Sequence, residues 1–193
     1  SAYFDSSNIN RLRLDDSADW IFGDTFTLEA WIKLPSIPSS GYQHICAQAS
    51  NYGFYCTVDN ANKRLQFYDY HSTTTISSSN NSISAGQWIH VALVNNSGTA
   101  QWYINGLPSG SSGSLDVDYD EAYYLSIGGF ASGSSAFGGY ISNLRIVKGT
   151  AVYTSAFRPS TKPLASITNT VLLCCQTSTV TDAAVSPGPI TNL

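Results

Sequence analysis

Residues Gly86–Gly110 read GQWIHVALVNNSGTAQWYINGLPSG, and the fold turns on how that stretch is parsed. Ile89, Val91 and Leu93 alternate with Trp88, His90, Ala92 and Val94. Successive side chains of a strand point to opposite faces, so a period of two marks a strand with one face turned inward. Asn95-Asn96-Ser97-Gly98 follows, and Asn and Gly accept the positive φ of a tight hairpin turn at little cost. A second run, Ala100–Ile104, leads to a second turn signal at Asn105-Gly106. Trp88 and Trp102 fall one in each arm. An aromatic side chain buries roughly 150–250 Å². Both tryptophans are therefore expected in the core, anchoring the hairpin to an opposing sheet.

The same alternation runs outward in both directions. It is found in Phe26–Leu34, in Arg64–Tyr70 and in Phe137–Val147. Further short strands are expected at Ala2–Asp5, Arg11–Leu14, Tyr42–Gln48, Gly53–Val58, Thr73–Ser77, Tyr123–Gly128 and Thr170–Cys175. Helix is confined to one turn at Asp16–Trp20, capped by Asp16 or Ser17, and another near Thr150–Ser155. About a dozen short strands with dense turn signals mean an all-β sandwich or barrel. No internal repeat at a fixed period is visible. From Gln176 the alternation stops and two prolines appear, so residues 176–193 read as a linker or tail to a domain spanning 1–175.

Composition narrows the function. Only 11% of the 193 residues are charged, against roughly 25% in ordinary soluble proteins. The surface must be Ser, Thr, Asn, Gln, Gly and Tyr, which suits neutral polar ligands or packing in an assembly. The net charge of −4, with 9 scattered Lys and Arg, offers no basic stripe for nucleic acid. No apolar run is long enough to insert in a membrane. The chain lacks Met, so it is expected to be a processed or excised piece of a longer one.

Cys46 and Cys56 flank a probable hairpin centred near Asn51, and either a cross-strand disulfide or two buried thiols fits there. Cys174 and Cys175 are adjacent. In a strand they would point to opposite faces and not bond each other. No CxxC or His spacing suggests zinc.

Four stretches carry a resemblance: FTLEAWIKL (Phe26–Leu34), GQWIHVALV (Gly86–Val94), WYINGLPSG (Trp102–Gly110) and FGGYISNLRIVKGTAVYTSAF (Phe137–Phe157). They resemble the LamG-like, concanavalin A-like jelly roll, in the same order and after an opening strand at Tyr3–Asp5. The resemblance implies a two-sheet antiparallel jelly-roll sandwich. It says less about function, because that superfamily includes lectins, glycosidases, pentraxins and adhesion modules. Ser142–Leu164 is similar to a narrower variety found in bacteriophage virion proteins, especially tail or decoration proteins of marine phages.

Catalysis is not expected. Glycosidases need two carboxylates flanking the scissile bond. Glu29 has no acidic neighbour at i+2, and the run Asp116, Asp118, Asp120, Glu121 reads as a loop entering a strand. No nucleophile elbow accompanies His44, His71 or His90. The acidic run is instead a candidate calcium site, since calcium takes several hard oxygens. A second acidic grouping is Asp5, Asp15, Asp16 and Asp24. For a sugar ligand, rings and amides on one sheet face are wanted. Leu65 and Phe67 should face inward, leaving Gln66, Tyr68 and Tyr70 together on the outer face. Tyr42 and Tyr52 are expected nearby, with Tyr119, Tyr123 and Tyr124 forming a second aromatic group. Two functional classes fit. One is a non-catalytic recognition module for a glycan or host cell-surface ligand, placed on a virion or outside a cell. The other is a structural or decoration domain packing on neighbouring virion proteins or on its own copies.

Overall fold

The computed structural model describes residues 1–6, 10–48, 53–119, 122–130, 135–177 and 190–192. Fourteen strands follow in chain order: β1 (Ala2–Phe4), β2 (Leu12–Leu14), β3 (Phe26–Lys33), β4 (Tyr42–Gln48), β5 (Phe54–Asp59), β6 (Arg64–Asp69), β7 (Thr74–Ser77), β8 (Ile89–Asn96), β9 (Thr99–Ile104), β10 (Leu107–Ser114), β11 (Leu125–Ile127), β12 (Gly139–Lys148), β13 (Thr170–Cys174) and β14 (Thr191–Asn192). They make two antiparallel sheets. The first runs β1-β12-β3-β8-β9-β10, and β13 shares the edge of β12 with β1. The second runs β14-β2-β11-β4-β5-β6-β7. The expected two-sheet antiparallel jelly-roll sandwich is what forms.

The alternation explains the core. Leu28, Ala30 and Ile32 of β3, and Leu65 and Phe67 of β6, turn inward and are fully buried. Phe26 reaches Phe67 across the sandwich at 6.0 Å, and Phe67 stacks on Phe54 at 5.2 Å. Trp102 is fully buried, and its indole Nε1 donates to the Ile76 carbonyl of the opposite sheet at 2.9 Å. The one helical turn among the described residues, Ala18–Trp20, is capped by Ser17, whose hydroxyl accepts from the Asp19 amide.

Three expectations need correction, and one strand went unread. Trp88 is not core: it precedes β8 and is 39% exposed, because it alternates with the inward Ile89, Val91 and Leu93 and so shares the outer face with His90. Thr150–Ser155 is not helical; it belongs to an extended strap, described next. Cys174 and Cys175 do not point apart, because Cys175 leaves the strand conformation with φ +61° and the two sulfurs come to 3.6 Å. The Gly- and Ser-rich β10 had no sequence signal at all. Its pairing with β9 is set by the Asn105–Gly106 turn, both residues at positive φ. Cys46 and Cys56 stand opposite each other across β4 and β5 with both thiols buried and free.

The strap, residues 149–168, lies over the outer face of β3, β8 and β12. Val152 N donates to Thr27 Oγ1, Phe157 N to the Gly106 carbonyl, and Leu164 N to Asn143 Oδ1, all at 2.8–2.9 Å. Gly106 is required there twice over. Its φ is +81°, and a Cβ would come within 1.9 Å of the Phe157 carbonyl oxygen. Tyr153 and Phe157 stack with ring centroids 3.5 Å apart, and Phe157 packs on Tyr103 and His90.

Beneath the strap Glu29 is fully buried. Its Oε1 accepts from Arg145 (2.9 Å from Nε, and closely from Nη2). Its Oε2 accepts from the Tyr153 hydroxyl at 2.9 Å and pairs with His90 Nε2 at 3.1 Å. Burial pushes the Glu29 carboxyl up, but the His90 hydrogen bond and the Arg145 charge outweigh it and hold it below its ordinary value. The Tyr153 phenol is pushed up by burial and by that carboxylate. Glu29 is thus a paired carboxylate closed off from solvent.

Candidate functional site

The outer face of the second sheet is built by two hairpins. In β5 the inward residues are Phe54, Cys56 and Val58, which leaves Tyr55 and Thr57 outward. In β6 the inward pair is Leu65 and Phe67, which leaves Gln66 and Tyr68 outward, as expected. Register then makes rows across the sheet. Tyr55 sits opposite Tyr68 and Tyr68 opposite Thr75; His44 sits opposite Thr57 and Thr57 opposite Gln66. The β6–β7 turn carries Tyr70. Asp69 fixes that turn by accepting from the His71 amide at 3.0 Å and from the Ser72 hydroxyl. Tyr70 N donates to the Gly53 carbonyl at 2.9 Å.

These rows make an aromatic platform. Tyr55 stacks on His44 (5.3 Å) and on Tyr68 (6.1 Å), and meets Tyr70 and Phe130 edge-on. Tyr68 meets Tyr70 at 90°. A groove of ≈ 390 Å³ runs over it, walled by Tyr42, His44, Tyr55, Thr57, Gln66, Tyr68 and Thr75. Its size lies within the range of small-ligand sites. No wall residue is acidic or basic except His44, and burial pulls His44 down to about 4, so its imidazole is neutral. A neutral imidazole offers one donor and one acceptor. The Tyr55 phenol is pushed up, by burial first and then by Tyr70 and Tyr68. The wall therefore presents rings, hydroxyls, an amide and no formal charge.

Of the expected ligand residues, Gln66 and Tyr68 line the groove and Tyr70 closes its aromatic row. Tyr119 instead stacks on His71 at 4.9 Å, beside the turn and outside the wall. Tyr52 lies outside the described residues. Among the other tyrosines, Tyr124 carries the Arg13 guanidinium 4.1 Å over its ring, and the Tyr123 carbonyl accepts from Gln48. The sequence reading missed Tyr55, His44, Thr57, Thr75 and Phe130. Tyr55 and Thr57 carried a usable signal, since Cys56 and Val58 point inward. Phe130 sits in a loop and carried none.

The acidic run is placed only in part. Asp116 and Asp118 flank Val117, which bridges to Gly23, while Asp120 and Glu121 lie outside the described residues. That bridge brings Asp24 into the neighbourhood of Asp116, although the sequence put them in separate groups. Burial, then the charges of Asp118, Asp24 and Asp69, raise the Asp116 carboxyl. Asp15 pairs with Arg13 at 3.6 Å. Among the described residues no three His, Cys, Asp or Glu side chains converge on one point that could hold a metal.

Comparison with known proteins agrees with this architecture. A family model described as the concanavalin A-like lectin/glucanases superfamily (Laminin_G_3) matches residues 6–152. No curated protein matches the chain. Among solved structures, a candidate carbohydrate binding protein from Bacteroides ovatus is similar at 18% identity and TM-score 0.61, over 89% of this chain and 49% of that one. This chain thus spans about half the length of the Bacteroides protein. Domain 4 of AbnA, a GH43 extracellular arabinanase from Geobacillus stearothermophilus, in complex with arabinotriose, is similar at 21% identity and TM-score 0.56, over 72% and 67%. The enzymatically active domain of tailspike protein 2 from bacteriophage CBA120 is similar at 16% identity and TM-score 0.53, over 76% and 25%. At these identities the likeness is one of fold. No helix among the described residues is long and apolar enough to cross a membrane.

Proposed function

The chain belongs to the concanavalin A-like lectin/glucanases superfamily, and from that premise we propose that it is a non-catalytic module that binds neutral saccharides on the outer face of β4–β7. The observation that carries this reading is the groove over Tyr55 and Tyr68, whose wall combines stacked rings with Gln66, Thr57 and Thr75 and holds no carboxylate. Sugar C–H faces pack on rings while hydroxyls take the polar groups. An uncharged wall adds no penalty for leaving an ion unpaired under a neutral ligand. Support also comes from relatives in fold: the Bacteroides protein is described by carbohydrate binding and the Geobacillus domain by bound arabinotriose. The non-catalytic part rests on Glu29, the carboxylate nearest a sheet centre, being sealed under the strap.

The test is a neutral-glycan array followed by calorimetry, with Tyr55→Ala and Tyr68→Ala beside the wild type. Binding lost in both variants supports the proposal. A folded wild type with no hits, or hydrolysis of any bound polysaccharide, defeats it.

The module is placed outside a cell or on a virion, in line with its low charge and with the likeness of Ser142–Leu164 to phage virion proteins. Packing on neighbouring copies in a particle is the second reading. It is favoured by β10, which ends the first sheet with Leu107 63% exposed. A strict monomer at high concentration in sedimentation velocity counts against it. Calcium is proposed as a structural ion of the 116–121 run, on the carboxylates of Asp116, Asp118 and Asp24 that the Val117–Gly23 bridge gathers. Ligand that binds only the folded state raises Tm. A chelated sample is expected to gain thermal stability with millimolar calcium, and no shift removes the ion.

A further inference from the structure

The first sheet has a groove of its own, where the strap ends. It measures ≈ 460 Å³, and its walls include Trp31, Trp88, Ser142, Asn143, Lys162 and Gln176. The strap covers the rows of Glu29 and Thr27 but leaves the last rows of the outer face open. There Trp88 is 39% exposed and Tyr3 57% exposed; Tyr140 lies 4.9 Å from Tyr3 and 6.2 Å from Trp88. We propose that this groove is a second saccharide site, separate from the tyrosine platform on the opposite sheet, and that it takes a sugar bearing an acidic group.

Three independent features point there. The first is how the tryptophans use their indoles. Trp20 Nε1 donates to the Asp15 carbonyl and Trp102 Nε1 to the Ile76 carbonyl. No protein acceptor takes the indole N–H of Trp31 or Trp88 among the described residues, so both keep an unspent donor; Trp31 is held edge-on against His90 at 5.3 Å, and Trp88 is the more exposed ring. The second is the backbone. β12 bulges against β3 between Ser142 and Arg145, with Asn143 at φ +53°. Bulges re-aim side chains beside binding sites. Here the bulge holds a fixed polar floor. Asn143 Oδ1 accepts from Leu164 N at 2.8 Å and Gln176 Nε2 at 3.2 Å, and Asn143 Nδ2 donates to Ser142 Oγ at 2.9 Å. Ser142 Oγ, accepting there, keeps its own proton for a ligand. The third is charge. Lys162 is the charged residue of the wall, and Glu29, the nearest buried carboxylate on that face, is already neutralised by Arg145. Hydroxyl, amide and ammonium groups around two indoles suit an acidic pyranose better than a protein's apolar surface.

The two sites differ in a way that separates their tests. The platform has no tryptophan in its wall, and Trp20 and Trp102 are fully buried. Tryptophan emission therefore reports the second groove. The probes are tetragalacturonate, an alginate tetramer and a chondroitin sulfate tetrasaccharide, with cellotetraose as the neutral control. At least one acidic probe is expected to change the emission and to protect it from acrylamide quenching. The response should be lost in Trp88→Ala and weakened about tenfold in Lys162→Ala, an exposed position that leaves folding intact. It should persist in Tyr68→Ala. No response to any acidic probe, or an equal loss in Tyr68→Ala, overturns the second site. The neutral-glycan result on the platform is unaffected by either outcome.

Discussion

The two outer faces of this sandwich begin from the same alternating pattern and end as opposites. On β3, β8 and β12 the outward positions include Glu29, His90 and Arg145, and a strap of chain lies across them. On β4–β7 the outward positions include His44, Tyr55, Gln66 and Tyr68, and among the described residues no segment covers their groove. The covered face spends its polar groups on the protein: every oxygen of Glu29 has partners from β8, β12 or the strap. The open face stacks its rings side by side, and the Gln66 amide donates to Ser77 Oγ at 3.3 Å along the groove wall. The rows under the strap hold paired ions, whereas the groove wall on the other face holds none. Ions on a sheet face must be paired and shielded to be tolerated in burial, whereas neutral rings can stay half-exposed at little cost. On the open face the ion pair Asp59–Arg64 sits at the β5–β6 turn, 3.1 Å apart, so it leaves the groove over Tyr55 and Tyr68 uncharged.

The largest way to break that contrast is Glu29→Ala. Removing one partner of a buried pair leaves the Arg145 charge uncompensated, at about 3–5 kcal/mol. Urea unfolding should show that loss, and hydrogen exchange should rise along the strap from Val152 to Leu164. A loss under about 1 kcal/mol would mean that the network behaves as a surface ion pair and that the strap is held by Tyr153 and Phe157 alone.

The open face has its own buried titratable group, and pH sharpens the comparison. His44 is 8% exposed and burial lowers it to about 4. The unfolded chain takes up a proton near 6.5, while the folded chain resists until about 4. Between those values the unfolded state binds more protons, so stability is full above about pH 6.5 and declines as pH falls toward 4. The span corresponds to roughly 3 kcal/mol. Glu29 and Asp59 act lower down. Burial raises each carboxyl, yet His90 and Arg145 in one case, Asn62 and Arg64 in the other, bring both below their ordinary values. Their contribution is present above the ordinary carboxylate range and is lost as pH drops through the lowered values. Denaturant titration from pH 7.5 to 3 should thus show two phases. His44→Gln should erase the upper one and keep the lower.

Sequence made the sheets legible because period two is a local signal. Twelve strands, a helix cap at Asp16 or Ser17 and both positive-φ hairpin turns could be read from neighbours one or two residues apart. The inward face of β6 was legible for the same reason, and Gln66 and Tyr68 came with it. What could not be read was contact across the chain. Tyr153 and Phe157 lie in a turn-rich segment without a period, so nothing local says that they roof Glu29 and Arg145, 116 residues apart in sequence. Trp88 looked like its hairpin partner Trp102, yet Trp102 pairs with the inward Leu93 while Trp88 alternates with that row and faces outward. Phe130 joined the platform from a loop through tertiary placement alone.

The smallest effect on stability is expected from Tyr68→Ala, and it separates binding from folding on the open face. Tyr68 contributes one stacked contact to Tyr55 and one edge contact to Tyr70. Aromatic pairs of this kind contribute about 0.5–1.5 kcal/mol beyond their area, and Tyr68 is only half-buried, so the cost should be near 1 kcal/mol. Affinity for a neutral oligosaccharide should fall about tenfold or more, equivalent to about 1.4 kcal/mol, because the ring lines the groove beside Tyr55. Glu29→Ala should give the reverse ratio: a large loss of stability with the platform's affinity kept in whatever fraction remains folded. If Tyr68→Ala instead destabilised the chain as strongly as Glu29→Ala while affinity held, the rings on β5 and β6 would be packing for the sheet. The open face would then be a second covered face whose cover is a partner.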